Sequence, residues 1–284
     1  MRVSASALAG GAGFVLLAIY LFVSAPPELP DGPATGAGRT IPAETALALL
    51  DAENAAIRAL YAREIVGEGS KRGLDFREDW EKEGVAAAPL PSLMLRETSN
   101  RLQMEMPELG LFLGSDYPLV KENLFKGEQA LHYQEVKKTL RPKFFFDAAQ
   151  GRTTAMFPDR ASAQSCVSCH NEHPDTPKKD WVLDEPMGAT TWSYAGRQVS
   201  SETMLRMVAL LRKSAIDAYA SYLHKAERFE GAARPSIGGK WPREGLYLPD
   251  RETFRRAVEA QNSAATLNAV FESVATRPAA GDPR

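Results

Sequence analysis

Two cysteines three positions apart, with a histidine directly after the second, are the residues of this chain best placed for chemistry: Cys166-Val167-Ser168-Cys169-His170. They are the only cysteines among 284 residues. A Cys-x-x-Cys-His run is the attachment pattern of c-type haem. Both thiols form thioether bonds to one edge of a porphyrin, and the histidine lies beneath its iron as proximal ligand. The spacing predicts Cys166 and Cys169 as covalent haem attachment points and His170 as the axial ligand.

Two other chemistries use the same residue types. The two thiols could form a structural disulfide or a thioredoxin-like redox pair, but a Cys-x-x-Cys redox centre usually sits at a helix N-terminus inside a βαβ pattern. Here residues 159–165 (Asp-Arg-Ala-Ser-Ala-Gln-Ser) supply no apolar strand leading into the pair. Zinc would take Cys166, Cys169, His170 and His173 as four ligands of acceptable type. However, Cys169 and His170 are adjacent, and neighbouring residues seldom fill two corners of one tetrahedron. No second cysteine pair replaces them.

The N-terminus bears on compartment. Residues 3–23 are an almost unbroken small and apolar run, with Phe14 to Val23 at its centre. That is the length of a transmembrane helix. Arg2 is its positive flank, which keeps the N-terminus cytoplasmic and exports the rest. Val23-Ser24-Ala25 resembles a signal-peptidase site, but Pro26 follows it, so an uncleaved inner-membrane anchor over residues 1–25 is the favoured reading and a cleaved signal the alternative. Both agree with haem attachment on the far side of the membrane, in the periplasm, by the haem-attachment machinery. The 34 Lys and Arg residues nearly balance 36 Asp and Glu, and no field draws the chain to nucleic acid.

The elements that must hold the motif follow from periodicity. Residues 26–42 are a Pro/Gly/Ala linker expected to be extended. Leu47, Leu50, Ile57, Leu60, Tyr61 and Ile65 recur at helical spacing and predict a helix over 43–68, ended by Gly67 and Gly69. A second helix is expected over 93–101 with Ser92 as N-cap. A strand over 109–113, a helix over 126–138 and a hairpin of strands 143–147 and 153–157 follow. Residues 159–185 read as an irregular excursion carrying the haem motif, closed by a strand over 187–195. A helix over 200–229 has one stripe, Met204, Val208, Leu211, Ala215, Ala218, Tyr222 and Ala226, which packs in cis or forms a homodimer. Residues 250–275 form a last helix, capped by Asp250, with Phe254, Val258, Leu267, Val270 and Phe271 apolar. A disordered tail is expected over 277–284. The fold class is α+β.

Asp159-Arg160 and the run Ser165 to Trp181 (Ser-Cys-Val-Ser-Cys-His-Asn-Glu-His-Pro-Asp-Thr-Pro-Lys-Lys-Asp-Trp) resemble the signature of a bacterial single-haem c-type domain with a PAS-like fold. That domain also occurs fused to histidine kinases, chemotaxis receptors and nucleotide cyclases. Residues 62–66, 76–80 and 89–91 resemble its helical N-terminal part, so the likeness covers about residues 43–195. A helical C-terminal extension over 196–276 lies outside it. The sequence departs from the pattern after Trp181, where Val182-Leu183-Asp184-Glu185-Pro186 replaces a basic, Gly-rich stretch. No kinase or cyclase module follows, so a sensing role requires a separate signalling or redox partner.

The sixth position on the iron separates functions. A second Met or His ligand suits electron transfer, whereas an open position admits a diatomic gas. The distal cysteine that the resemblance allows is closed, because none is spare. Distal-side candidates are Tyr61, Met156 and Met187. His173, Lys178, Asp180 and Trp181 are candidates to brace the haem segment. His132 and His224 reach the iron only if the fold brings them there. The expectation is a membrane-anchored periplasmic haem protein that senses redox state or a diatomic gas. The alternative is a mono-haem electron carrier. A peroxidase-type enzyme ranks third, since no His-Arg pair with distal-catalyst spacing is evident.

Overall fold

The computed structural model describes residues 40–241 and 245–275. The expected anchor at 3–23, the expected linker up to residue 39 and the expected tail at 277–284 lie outside them. No described helix is long and apolar enough to cross a membrane.

The architecture is α+β. Thr40–Pro42 is a short strand, β1, and leads directly into α1 (Ala43–Leu60). Leu47, Leu50, Ile57 and Leu60 bury one face of α1, as their spacing predicts. The backbone then widens into a π-helical segment over Tyr61–Gly67 and tightens again in α2 (Glu68–Lys71). Gly67 and Gly69 therefore do not end the helix. Gly69 packs closely on Leu74, whose side-chain end would have to shift to admit a Cβ there. β2 (Phe76–Arg77) and β3 (Ala88–Pro89) form a small parallel pair. In α3 (Pro91–Glu105), Pro91 occupies the first turn, where its fixed φ suits a helix start. The cap position falls on Leu90, not on Ser92.

The sheet comprises β4 (Leu109–Gly114), β5 (Lys143–Asp147), β6 (Arg152–Arg160) and β7 (Pro186–Tyr194), all antiparallel in the order β4-β7-β6-β5. The predicted hairpin joins β5 and β6. Its turn takes Gly151 at φ 65°, and Asp147 Oδ1 accepts from the Gln150 N–H. Alternate residues serve opposite faces. Ala155 and Trp192 join the main core with α1, while Met156 and Ala189 pack with Phe125, Tyr133 and Val136. Tyr133 and Val136 come from α4 (Gly127–Thr139).

Between β6 and β7 the chain forms α5 (Gln164–Glu172), a helix where an irregular excursion is expected from sequence. β8 (Gln198–Ser200) pairs with β1, so the last three residues of the expected linker are a strand. In α6 (Ser201–Ala226), Ser200 Oγ caps the Thr203 N–H. The predicted stripe is buried within the chain, in one core with residues of α1 and α3. A parallel pair, β9 (Ser236–Gly238) and β10 (Tyr247–Pro249), precedes α7 (Arg251–Ala275). Asp250 Oδ1 accepts from the Thr253 N–H, as its predicted capping role requires. Phe254 and Val258 are buried. The side chains of Leu267, Val270 and Phe271 lie outside the described residues.

The helices that follow the sheet are tied into the N-terminal one by a buried charge. Glu53 on α1 is fully buried. It accepts from Arg212 Nε at 2.7 Å and Nη2 at 2.6 Å, from Asn262 Nδ2 at 2.7 Å, and from the Thr266 hydroxyl.

Candidate functional site

The helix α5 puts the motif in order. Positions 166, 169 and 170 are related by i, i+3 and i+4, and so share one face of the helix. Both cysteines are unpaired, Cys166 half-buried and Cys169 exposed. Their separation by one helical turn sets two thiols side by side, as attachment to one porphyrin edge needs. Partial burial, then the Glu78 carboxylate and Cys166, push the Cys169 thiol up from its usual range. Burial, followed by the His173 charge, lowers the His170 pKa, which keeps its imidazole in the neutral, metal-ligating form. His170 Nδ1 is buried without a hydrogen-bond partner.

The segment after α5 is fastened back onto it. Asn171 Nδ2 donates to the Trp181 carbonyl at 3.0 Å, and its Oδ1 accepts from the Trp181 N–H at 2.9 Å. Trp181 is 2% exposed and clusters with Ala161, Val167, Cys166 and Met187. Lys178 Nζ sits 4.1 Å from the centroid of the Trp181 ring and pairs with Asp180 at 2.7 Å and Glu185 at 3.2 Å. Although its partial burial opposes it, those two carboxylates hold the Lys178 pKa above its ordinary value. Tyr117 meets the Trp181 ring edge-on. Reciprocal backbone bonds, Ala161 N–H to the Glu185 carbonyl and Asp184 N–H to the Ala161 carbonyl, close the base of the loop. Gly188 stands where β7 resumes, and a Cβ there would collide with the Gly114 carbonyl oxygen.

His173 is committed elsewhere. Its Nδ1 accepts from the Asp175 N–H and its Nε2 lies 3.2 Å from Glu78 Oε2. Among the described residues, no three His, Cys, Asp or Glu side chains gather as a metal cage requires.

Of the expected bracing residues, Lys178, Asp180 and Trp181 lie together beside α5, whereas His173 follows its last turn and faces Glu78. The distal-side candidates do not lie together. Met187 packs against the Cys166 and Val167 cluster. Met156 is fully buried on the α4 side of the sheet, opposite Ala155 and Trp192. Tyr61 is buried at the start of the π-helical segment and its hydroxyl donates to the Pro89 carbonyl at 2.7 Å. His132 lies against Phe145, and His224 sits near Glu227 on an exposed part of α6. Sequence reasoning missed Glu78, Glu185 and Tyr117 as supports. It also missed Arg58, which bonds Asp159 at 3.1 Å and the Thr190 hydroxyl at 3.0 Å. The Asp159 charge acts on His170.

The residues present fit a covalent haem: two free thiols and a half-buried imidazole share one face of a helix, beside an apolar cluster. Cys166 and Cys169 would hold the group and His170 would ligate its iron, which supplies one-electron chemistry or a site for a diatomic molecule. No family model, curated protein or solved structure matches this chain.

Proposed function

We propose that this chain is a membrane-anchored, periplasm-facing c-type haem protein with a PAS-like core, which senses redox state or a diatomic gas and signals through a partner. The observation that carries the reading is the shared face of Cys166, Cys169 and His170 on a helix that follows β6 and is bonded to the loop after it through Asn171. An antiparallel sheet in which the first strand, β4, pairs along an edge with the last, β7, with α1 over one face, is in keeping with the PAS-like resemblance. The loop is bound to α5 through Asn171, and Arg58 links Asp159 to α1, so a change of charge near His170 has a physical route into the helical core.

One observation favours the electron carrier. Cys169 is exposed, which places an attached porphyrin edge at the surface, where electrons are exchanged readily. The dithionite-reduced absorption spectrum, before and after carbon monoxide, separates the readings. A new Soret band on adding carbon monoxide supports gas sensing. Sharp low-spin bands that do not move support two strong axial ligands, and with them a redox sensor or carrier.

A further inference from the structure

The sheet has two edges, and the chain treats them differently. At β4 the edge is closed. Ser99 Oγ of α3 donates to the Leu111 carbonyl, and Ser115, just past the strand, exchanges backbone bonds with Asn123 and Phe125. At β5 the edge is open. β5 pairs with β6, and among the described residues no hydrogen bond reaches its outer side. An edge strand presents unpaired N–H and C=O groups to any strand that fits beside it, and proteins usually blunt such edges with charge, proline or a covering segment. Here Pro142 and Lys143 stand at the first end of the strand, and Lys143 Nζ is drawn to Glu135 Oε2 on α4 at 2.6 Å. Three consecutive phenylalanines follow, Phe144, Phe145 and Phe146, each half-buried. Phe144 meets Phe157 edge-on on one face, and Phe145 lies against His132 on the other. Leu131 is 74% exposed and stands one turn before Glu135, on the flank of α4 that borders this edge.

The order of residues in β5 identifies the partner. Lys143-Phe144-Phe145-Phe146-Asp147 complements itself when a second copy runs antiparallel beside it. A two-fold axis through Phe145 sets Phe145 opposite Phe145, Phe144 opposite Phe146 and Lys143 opposite Asp147. Aromatic cross-strand pairs and unlike charges both favour that register. Asp147 is buried in its own turn, where Oδ1 accepts from the Gln150 N–H, so its charge attracts the copy's Lys143 through space and not through a direct ion pair. A parallel pairing in register would instead set Lys143 on Lys143. We propose that β5 is the contact through which two copies of this chain join their sheets into one continuous antiparallel sheet. The apolar stripe of α6, the other surface suited to a second copy, is spent within the chain. The contact does not require haem.

Disulfide trapping of the full-length chain in its membranes tests this. Position 145 meets its own copy, so Phe145→Cys should give a dimer as the main product on non-reducing electrophoresis after mild oxidation. Arg206→Cys, on an exposed turn of α6, should give only a trace, and the wild-type chain, with Cys166 and Cys169 alone, sets the background. A Phe145→Cys chain that takes up maleimide but stays monomeric, a dimer equally abundant in Arg206→Cys, or a disulfide to a different protein overturns the proposal. Hydrogen exchange gives a second measure that needs no substitution. In the purified full-length chain, the amides of β5 should exchange more slowly at high protein concentration than at low. Equal exchange at both, whether fast from an uncovered edge or slow under a segment of the same chain, overturns the proposal. A trapped dimer in a chain that carries no haem leaves this contact standing while the haem reading falls.

Discussion

Asn171 is the residue whose loss should most cleanly release the loop that follows the haem helix. Its side chain makes two hydrogen bonds to the backbone of Trp181, ten residues away, at 3.0 and 2.9 Å. Trp181 is 2% exposed, so water replaces those bonds poorly in the folded state. A typical intramolecular bond contributes about 1 kcal/mol net, and a buried group left unpaired costs about 1–3 kcal/mol. Asn171→Ala should therefore destabilise the fold by about 2–3 kcal/mol. Urea unfolding, followed by far-ultraviolet circular dichroism and tryptophan fluorescence, reads the change as a lower midpoint at unchanged slope. Asp180→Ala is the control. Its partner is Lys178, but the Asp180 side chain is 85% exposed, and its removal should leave the midpoint where it was. Asn171→Ala leaves the three attachment residues intact, so the yield of covalent haem per folded molecule should not fall. A destabilisation below about 0.5 kcal/mol would show that the clamp contributes no more than an ordinary surface contact, and would refute the reasoning.

Stability should also depend on pH through Asp51. Burial pushes its carboxyl up to about 7, against the hydrogen bond from Trp192 Nε1 and the attraction of Arg58. Folding thus raises its affinity for a proton, the native state binds more protons than the unfolded chain between about pH 4 and 7, and stability falls across that window by at most about 1.4 kcal/mol per pH unit. Asp51→Asn should flatten this slope in unfolding measurements from pH 4 to 8; an unchanged slope counts against it. Glu53→Ala should be severe. It leaves Arg212 and Asn262 without their acceptor in the core, at a cost of about 3–5 kcal/mol by denaturant unfolding. A loss under 1 kcal/mol, roughly that of an exposed pair, would contradict the view that α1, α6 and α7 are tied through that carboxylate.

Local periodicity made the long helices and the four sheet strands legible. Leu47 to Leu60 and the stripe on α6 repeat at helical spacing, and the sheet strands are short runs rich in Phe, Leu and Thr between turn residues. Pairings distant in sequence were not legible. Thr40–Pro42 is a strand only because Gln198–Ser200 lies beside it. The α5 helix escaped because it buries little apolar surface beyond Val167, so no helical stripe marks it. Ser92 failed as a cap because Pro91 claimed the first turn. At the site, the spacing of Cys166, Cys169 and His170 shows the chemistry without a structure. The supports do not show in the same way. Glu78 meets His173 across 95 positions and Arg58 meets Asp159 across 101, separations that no short motif records. Asn171 stood next to His170 in the sequence, but its partner, Trp181, became evident only when the loop folded back.

The most direct test of the account is haem retention through denaturing electrophoresis, after expression with haem-attachment machinery. The wild-type chain should carry one covalent haem, visible by its peroxidase stain and by its pyridine haemochrome spectrum. Cys166→Ala/Cys169→Ala should carry none. A wild-type protein that emerges without covalent haem from cells that attach it to a control cytochrome would contradict the central claim.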